Sequence, residues 1–169
     1  FLNNGGAGVR TFGFANSIAM VGGTLRRNRF GAYLNQVSSS CSFIGVAIHD
    51  NQEQGIYALR CEQPMIRNCQ FNGNAYKDGG VGMSCISLIG QETKYVESAL
   101  IDACLFGDNA PGGYDVYTSY VKSAVASNNY IYAVNAAKPS IFRVGQYTEG
   151  LLITGTRWTI TAGTPSKYS

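Results

Sequence analysis

Apolar and polar positions alternate in short runs along this chain, and the runs recur. Residues 55–74 carry Gly-Ile-Tyr-Ala-Leu-Arg-Cys-Glu-Gln-Pro-Met-Ile-Arg-Asn-Cys-Gln-Phe-Asn-Gly-Asn, which predicts two strands, 56–61 and 65–71, joined by a polar corner at Pro64 and closed by an Asn-Gly turn. Neither strand is long enough to bury a face alone. Taking Cys69-Gln70-Phe71 as an anchor, Cys41-Ser42-Phe43 lies 28 residues before it and Cys104-Leu105-Phe106 lies 35 after it. Asn128-Asn129-Tyr130 and Thr156-Arg157-Trp158 follow at further steps of 24 and 28. Ile66, Ile101, Val125 and Ile153 stand three positions before the small residue, giving an apolar-x-x-small-x-aromatic frame; around Cys41 that place is taken by Ser38. The first strand of the unit recurs as well, in Gly31-Ala32-Tyr33-Leu34, Gly55-Ile56-Tyr57-Ala58-Leu59 and Asp115-Val116-Tyr117.

A unit of 24 to 35 residues, made of two or three short strands and polar turns, predicts a right-handed parallel β-helix, because each coil buries its inward residues only against the coils above and below. The fold class is therefore all-β, a single-stranded solenoid of about five to six coils over residues 17–162. Residues 1–16 read as an incomplete coil or capping stretch, and 163–169 as an exit segment of turn composition. Phe43, Phe71, Phe106, Tyr130 and Trp158 are expected in one longitudinal column. Inward rows are expected to be filled by small residues such as Cys and Ser, since a thick side chain in every coil would crowd the interior.

The recurring frame and its strand character resemble the pectin-lyase-like β-helix superfamily and, within it, bacteriophage tailspikes. The resemblance spans about residues 17–162. It implies a module that binds bacterial surface polysaccharide, assembled as a homotrimer on the phage tail of a virion. With a competent carboxylate pair it would be a polysaccharide depolymerase, either a glycoside hydrolase or a lyase. The alternatives are a secreted carbohydrate-active enzyme of the same superfamily and a non-catalytic stalk or adhesin. The N-T-D, D-D, G-H-G and R-I-K signatures of pectin hydrolases are missing, as are G-R-P-W and D-P-H.

Composition narrows this picture. Of 169 residues 45% are hydrophobic and 14% charged, with 21 Gly and 4 Pro, as suits a turn-rich β protein and not a disordered one. The net charge of +3 is small and its basic residues are scattered apart from Arg26, Arg27 and Arg29, so nucleic acid is not an expected partner. No apolar run approaches a membrane span. The chain opens at Phe1 without Met or a signal peptide and reads as a piece of a longer polypeptide. Cys41, Cys61, Cys69, Cys85 and Cys104 are odd in number, lack a C-x-x-C pair and are accompanied by one histidine, His49, so reduced, buried thiols are expected and neither a metal nor a cofactor is.

Acidic residues sort onto two turn ridges. One carries Asp50, Glu53, Asp78 and Asp108, and the opposite one Glu62, Glu92, Glu97 and Glu149. Glycan hydrolysis needs two carboxyl groups roughly 5 to 9.5 Å apart, one protonated and one ionised, and stacked turns can supply that spacing. Asp50, Glu53, Asp78 and Asp108 are therefore the candidate catalytic residues, with Tyr76 and Tyr114 beside them as candidate sugar-binding rings. The bland alternative is that turn aspartates hydrogen-bond their own backbone. Exposed turn tyrosines, Tyr95, Tyr120, Tyr132 and Tyr147 among them, suit sugar faces and subunit contacts equally well.

Overall fold

The computed structural model describes residues 1–13, 15–77, 83–109, 112–133 and 141–160. Numbered along the chain, its strands fall into three sheets of six, all parallel. The first holds β1 (Ala7–Arg10), β4 (Phe30–Asn35), β7 (Ile56–Leu59), β10 (Ser84–Ile89), β13 (Tyr114–Ser119) and β16 (Phe142–Val144). The second holds β2 (Ala15–Val21), β5 (Val37–Ile44), β8 (Gln63–Arg67), β11 (Val96–Asp102), β14 (Val121–Ser127) and β17 (Glu149–Thr154). The third holds β3 (Thr24–Arg26), β6 (Ala47–His49), β9 (Gln70–Asn72), β12 (Leu105–Phe106), β15 (Tyr130–Ala133) and β18 (Arg157–Ile160). The chain visits the sheets in the same order on every coil, so each strand pairs with its counterparts one coil away. This is the β-helix that the repeat predicts, with a third strand per coil that residues 55–74 do not advertise.

That third strand is created by one residue. Gly22, Gly45, Asn68, Ala103, Asn128 and Gly155 link the second sheet to the third on successive coils, and all six have positive φ, between 51° and 67°. A left-handed residue turns the chain sharply, so the run expected as one strand at 65–71 is two, β8 and β9, broken at Asn68. Glycine meets this demand without a Cβ clash, and asparagine tolerates it better than most residues.

Read through this corner, the repeat has six copies: Met20-x-x-Gly23-x-Leu25, Phe43-x-x-Val46-x-Ile48, Ile66-x-x-Cys69-x-Phe71, Ile101-x-x-Cys104-x-Phe106, Ala126-x-x-Asn129-x-Ile131 and Ile153-x-x-Thr156-x-Trp158. The expected aromatic column is thereby corrected. Phe71 and Phe106 share it, and the backbone of Trp158 pairs with its member Ile131, but Leu25 and Ile48 fill its upper coils. Phe43 lies in the second sheet between Met20 and Ile66. Tyr130 is one residue off the column and 42% exposed, because side chains alternate along a strand and a shift of one reverses the face.

The interior also holds thicker rows than expected. Leu25, Ile48, Phe71, Phe106 and Ile131 are all buried in consecutive coils, and small residues elsewhere in the core, Cys41, Ala58, Cys61, Ala99 and Ala124, leave room for them. No disulfide joins the five cysteines, and all are buried. Cys69 Sγ donates to the carbonyl of Phe43 at 3.3 Å and Cys104 Sγ to that of Ile66 at 3.5 Å, so these thiols pack as small apolar groups with a weak donor.

A buried asparagine ladder lines the turn that returns the chain from the third sheet to the first. Asn28, Asn51, Asn74 and Asn109 are at most 1% exposed. Asn28 N donates to Asn51 Oδ1 at 3.0 Å, Asn51 Nδ2 to Asn74 Oδ1 at 2.8 Å, and Asn74 Nδ2 to Asn109 Oδ1 at 2.9 Å. Each amide of Asn51, Asn74 and Asn109 also bonds the carbonyl of the apolar column residue in the coil before, Leu25, Ile48 or Phe71. The ladder satisfies backbone groups that a tight turn would leave buried without partners, and it holds the turns above one another.

Candidate functional site

The acidic ridge lies on this same turn. Asp50 occupies the corner after β6 with φ 56°, donating its N–H to Asn72 O at 2.9 Å, and Gly73 N donates in turn to Asp108 O at 3.0 Å. Asp50, Gly73 and Asp108 thus follow one another on successive coils. Glu53 sits farther along the Asp50 turn. Asp78, the turn at 134–139 and the exit segment 163–169 lie outside the described residues. Tyr76 is 46% exposed beside the ridge, and Tyr114 is half-buried at the start of β13. On the opposite side, Glu62 bridges Lys94 at 3.4 Å, and Glu97 and Glu149 begin strands instead of lying in turns.

Two of the ridge carboxylates are already engaged. Arg26 Nε lies 2.9 Å from Asp50 Oδ2, with His49 Nδ1 at 3.4 Å from the same oxygen. Arg29 Nε lies 2.8 Å from Glu53 Oε1, and Lys77 Nζ 3.5 Å from it. Arg26 and Arg29 therefore reach one coil down the solenoid to carboxylates. Burial alone would raise the Asp50 pKa, but the hydrogen bonds from Arg26 and His49 outweigh it and hold the carboxyl below its ordinary 3.8. A carboxyl so held serves as an anion and not as a proton donor at neutral pH, the opposite of what a glycosidase acid requires. Asp108 is half-buried, and its backbone N–H is bound by Asn72 Oδ1 at 3.1 Å.

The depressed pKa gives a signed expectation. Asp50 contributes stability in full above its unfolded value near 3.8, and that contribution is lost as pH falls through the lower folded value. With its side chain 39% exposed, the contribution is small. Urea melts of Asp50→Asn and the unaltered protein should differ at pH 7 and converge as pH falls below 3.8 and through the lower folded value; parallel curves over the whole range would show that the ion pair does not matter.

A second constellation is built by strand register alone. On the first sheet Arg10, Tyr33, Tyr57, Ser87, Tyr117 and Arg143 pair in sequence from β1 to β16, one per coil. At about 4.8 Å per step the row runs roughly 24 Å along the solenoid axis. Tyr33 and Tyr57 stack with centroids 5.2 Å apart and planes 10° from parallel, and Phe30 meets both edge-on at 5.2 and 6.1 Å. The Arg10 guanidinium lies 5.6 Å from the Tyr33 ring and 4.0 Å from that of Phe12. Gly6, Ala7, Arg10, Arg29, Phe30 and Tyr33 line an open groove of about 250 Å³. At the other end Arg143 covers Tyr114 at 5.0 Å and Tyr117 at 5.7 Å, and donates to the Tyr114 hydroxyl at 3.1 Å. Ser87 is buried at the midpoint, so the row has two aromatic-arginine ends.

No family model, curated protein or solved structure matches this chain. Function must therefore be argued from the surface itself. Of the residues singled out in the sequence, Asp50, Glu53 and Asp108 lie on one ridge, as their turns imply, and Tyr114 belongs to the aromatic-arginine end of the first sheet. Tyr33, Tyr57, Tyr117, Arg10 and Arg143 are not among the sequence candidates. Their signal is the tyrosine at the third place of Gly31-Ala32-Tyr33, Gly55-Ile56-Tyr57 and Asp115-Val116-Tyr117, which becomes a row only once the strands are aligned. Among the described residues no helix is long and apolar enough to cross a membrane.

Proposed function

We propose that this chain is a tailspike-like β-helical module that binds bacterial surface polysaccharide along the outer face of its first sheet. One observation carries the reading: the row from Arg10 to Arg143, which sets tyrosine faces and a guanidinium group at each of its two ends, on either side of the buried Ser87. Flat, half-buried rings offer apolar area to the C–H faces of pyranose rings at little entropic cost, and arginines supply forked donors to hydroxyls or carboxylates. A row several coils long suits a polymer better than a monosaccharide. Binding rather than cleavage is favoured, because Asp50 and Glu53 are tied up by Arg26, Arg29 and Lys77. In this reading the module belongs to the tail of a phage and works as a homotrimer.

The test is affinity electrophoresis and biolayer interferometry against capsular and lipopolysaccharide extracts from a panel of bacteria. Retention by some of these extracts is expected, with Tyr33→Ala/Tyr57→Ala weakening it by about a hundredfold, roughly tenfold per ring. The row is excluded as the binding face if the double variant binds as well as the unaltered protein.

A further inference from the structure

The turn between the first and second sheets carries a set of rings that the row above does not use. Tyr120 and Tyr147 stand at this turn in the last two coils, with ring centroids 4.9 Å apart and planes tilted by 36°. Tyr95 extends the set at 6.1 Å from Tyr120, and Lys122 Nζ lies 4.2 Å from the Tyr95 ring centre. Tyr147 is 63% exposed. Both Tyr120 and Tyr147 have left-handed backbone, φ 51° and 50°, a conformation that disfavours a bulky side chain. Gln36 and Arg60 adopt it at this turn in earlier coils, where Arg60 uses its reach to donate from Nη2 to Asn35 Oδ1 at 2.9 Å. The two tyrosines instead meet ring to ring, Tyr147 exposed and Tyr120 half-buried. The left-handed corner recurs at this turn in earlier coils, so the ring pair and not the backbone sets these two coils apart.

The ring pair is continuous with the first sheet. Between Val144 and Tyr147 the chain passes through Gly145, where a Cβ would come within 2.7 Å of the Tyr117 hydroxyl. The absent side chain lets the Tyr117 ring lie directly against the backbone at Gly145, two residues before Tyr147, so the row and the turn adjoin. We infer that Tyr120 and Tyr147 form a second sugar subsite, adjoining the Tyr117 end of the row, which takes a pyranose ring of the same polysaccharide chain that lies along the first sheet. The inference rests on the proposed polysaccharide reading and adds a branch to its path. Tyrosine faces select the apolar C–H face of a sugar, so the ring pair suits a pyranose.

The experiment uses the unaltered protein, Tyr120→Gly/Tyr147→Gly (the ridge variant) and Tyr33→Ala/Tyr57→Ala (the first-sheet variant), titrated by interferometry with the same panel of capsular polysaccharide and lipopolysaccharide extracts, alongside thermal melts. Glycine removes the ring and relieves the left-handed backbone, so the ridge variant should keep or raise its melting temperature while losing about tenfold in affinity for any polymer bound. Undiminished affinity in the ridge variant, with loss in the first-sheet variant, would overturn the second subsite and leave the proposed function standing. A lowered melting temperature accompanying the lost affinity assigns the rings to the fold and overturns it too. If the unaltered protein is retained by none of the extracts in the panel, the subsite and the polysaccharide reading it rests on fall together.

Discussion

Asn74→Ala should cost about 3 kcal/mol, the largest loss among the ladder asparagines. Asn74 Oδ1 accepts from Asn51 Nδ2 at 2.8 Å, and its Nδ2 donates to Asn109 Oδ1 at 2.9 Å and to Ile48 O at 2.7 Å, all within a fully buried turn. Truncation removes these bonds and admits no water to replace them. An orphaned buried polar group costs about 1 to 3 kcal/mol, and two neighbours share the loss, because Asn51 Nδ2 keeps Leu25 O and Asn109 Oδ1 keeps Asn74 N. For a domain of this length about 3 kcal/mol corresponds to a fall of roughly 6 to 12 °C in melting temperature. Asn28→Ala, near the first coil, should cost less, since its side chain bonds Phe1 O at 3.3 Å and the exposed Asn4 in place of a second buried rung. Thermal and urea melts of the two variants check the ordering, and equal losses would show that the ladder does not act as a connected unit.

The solenoid is legible in the sequence because its repeat lies in apolar spacing, which survives changes of residue type. The ladder is equally periodic: Leu25, Ile48, Phe71 and Phe106 are each followed three places later by Asn28, Asn51, Asn74 and Asn109. It escapes notice because asparagine between strands already has a sufficient local explanation in turn chemistry. Whether such a residue faces solvent or the interior depends on the coil beneath it, and no window of sequence contains that coil. The split at Asn68 is hidden for a related reason. A single left-handed residue turns the chain while shifting the alternation of 65–71 by only one place, with Arg67 and Asn68 both exposed between Ile66 and Cys69. Once that corner is missed, an anchor on visible aromatics takes Tyr130 for Ile131, one place along, and Phe43 for Ile48 in a different sheet.

The candidate site divides along the same line. Turn acids can be assigned to a side of the solenoid from spacing, so Asp50, Glu53 and Asp108 fall together on one ridge. Their partners cannot be so assigned: Arg26 and Arg29 meet Asp50 and Glu53 at a separation of 24 residues, through stacking alone. Those guanidinium groups pair with the two carboxylates, and an adjacent positive charge favours the ionised form of a carboxyl group. The row from Arg10 to Arg143 depends even more on stacking, since each member is unremarkable in its own strand.

Phe71→Ala should destabilise the protein by about 3 to 5 kcal/mol, the range for emptying a large buried aromatic position. Phe71 is 1% exposed and Phe106 is wholly buried, and their rings stack at 5.0 Å with planes 9° apart in the middle of the interior column. Ile48 packs in the coil above and Ile131 in the coil below, each fixed by its strand pairing, so neighbouring coils cannot close the void without shifting the ladder. Phe106→Ala alone should cost a similar amount. The double variant should cost less than the sum, because the second truncation enlarges a cavity already present and the ring-to-ring contact, worth about 0.5 to 1.5 kcal/mol, is lost only once. Phe43→Ala, in the second sheet, provides the control: combined with Phe71→Ala it should approach additivity more closely than the stacked pair. Denaturant titration of the five variants measures these differences, and full additivity of Phe71→Ala with Phe106→Ala would mean that the two rings are not energetically joined across coils.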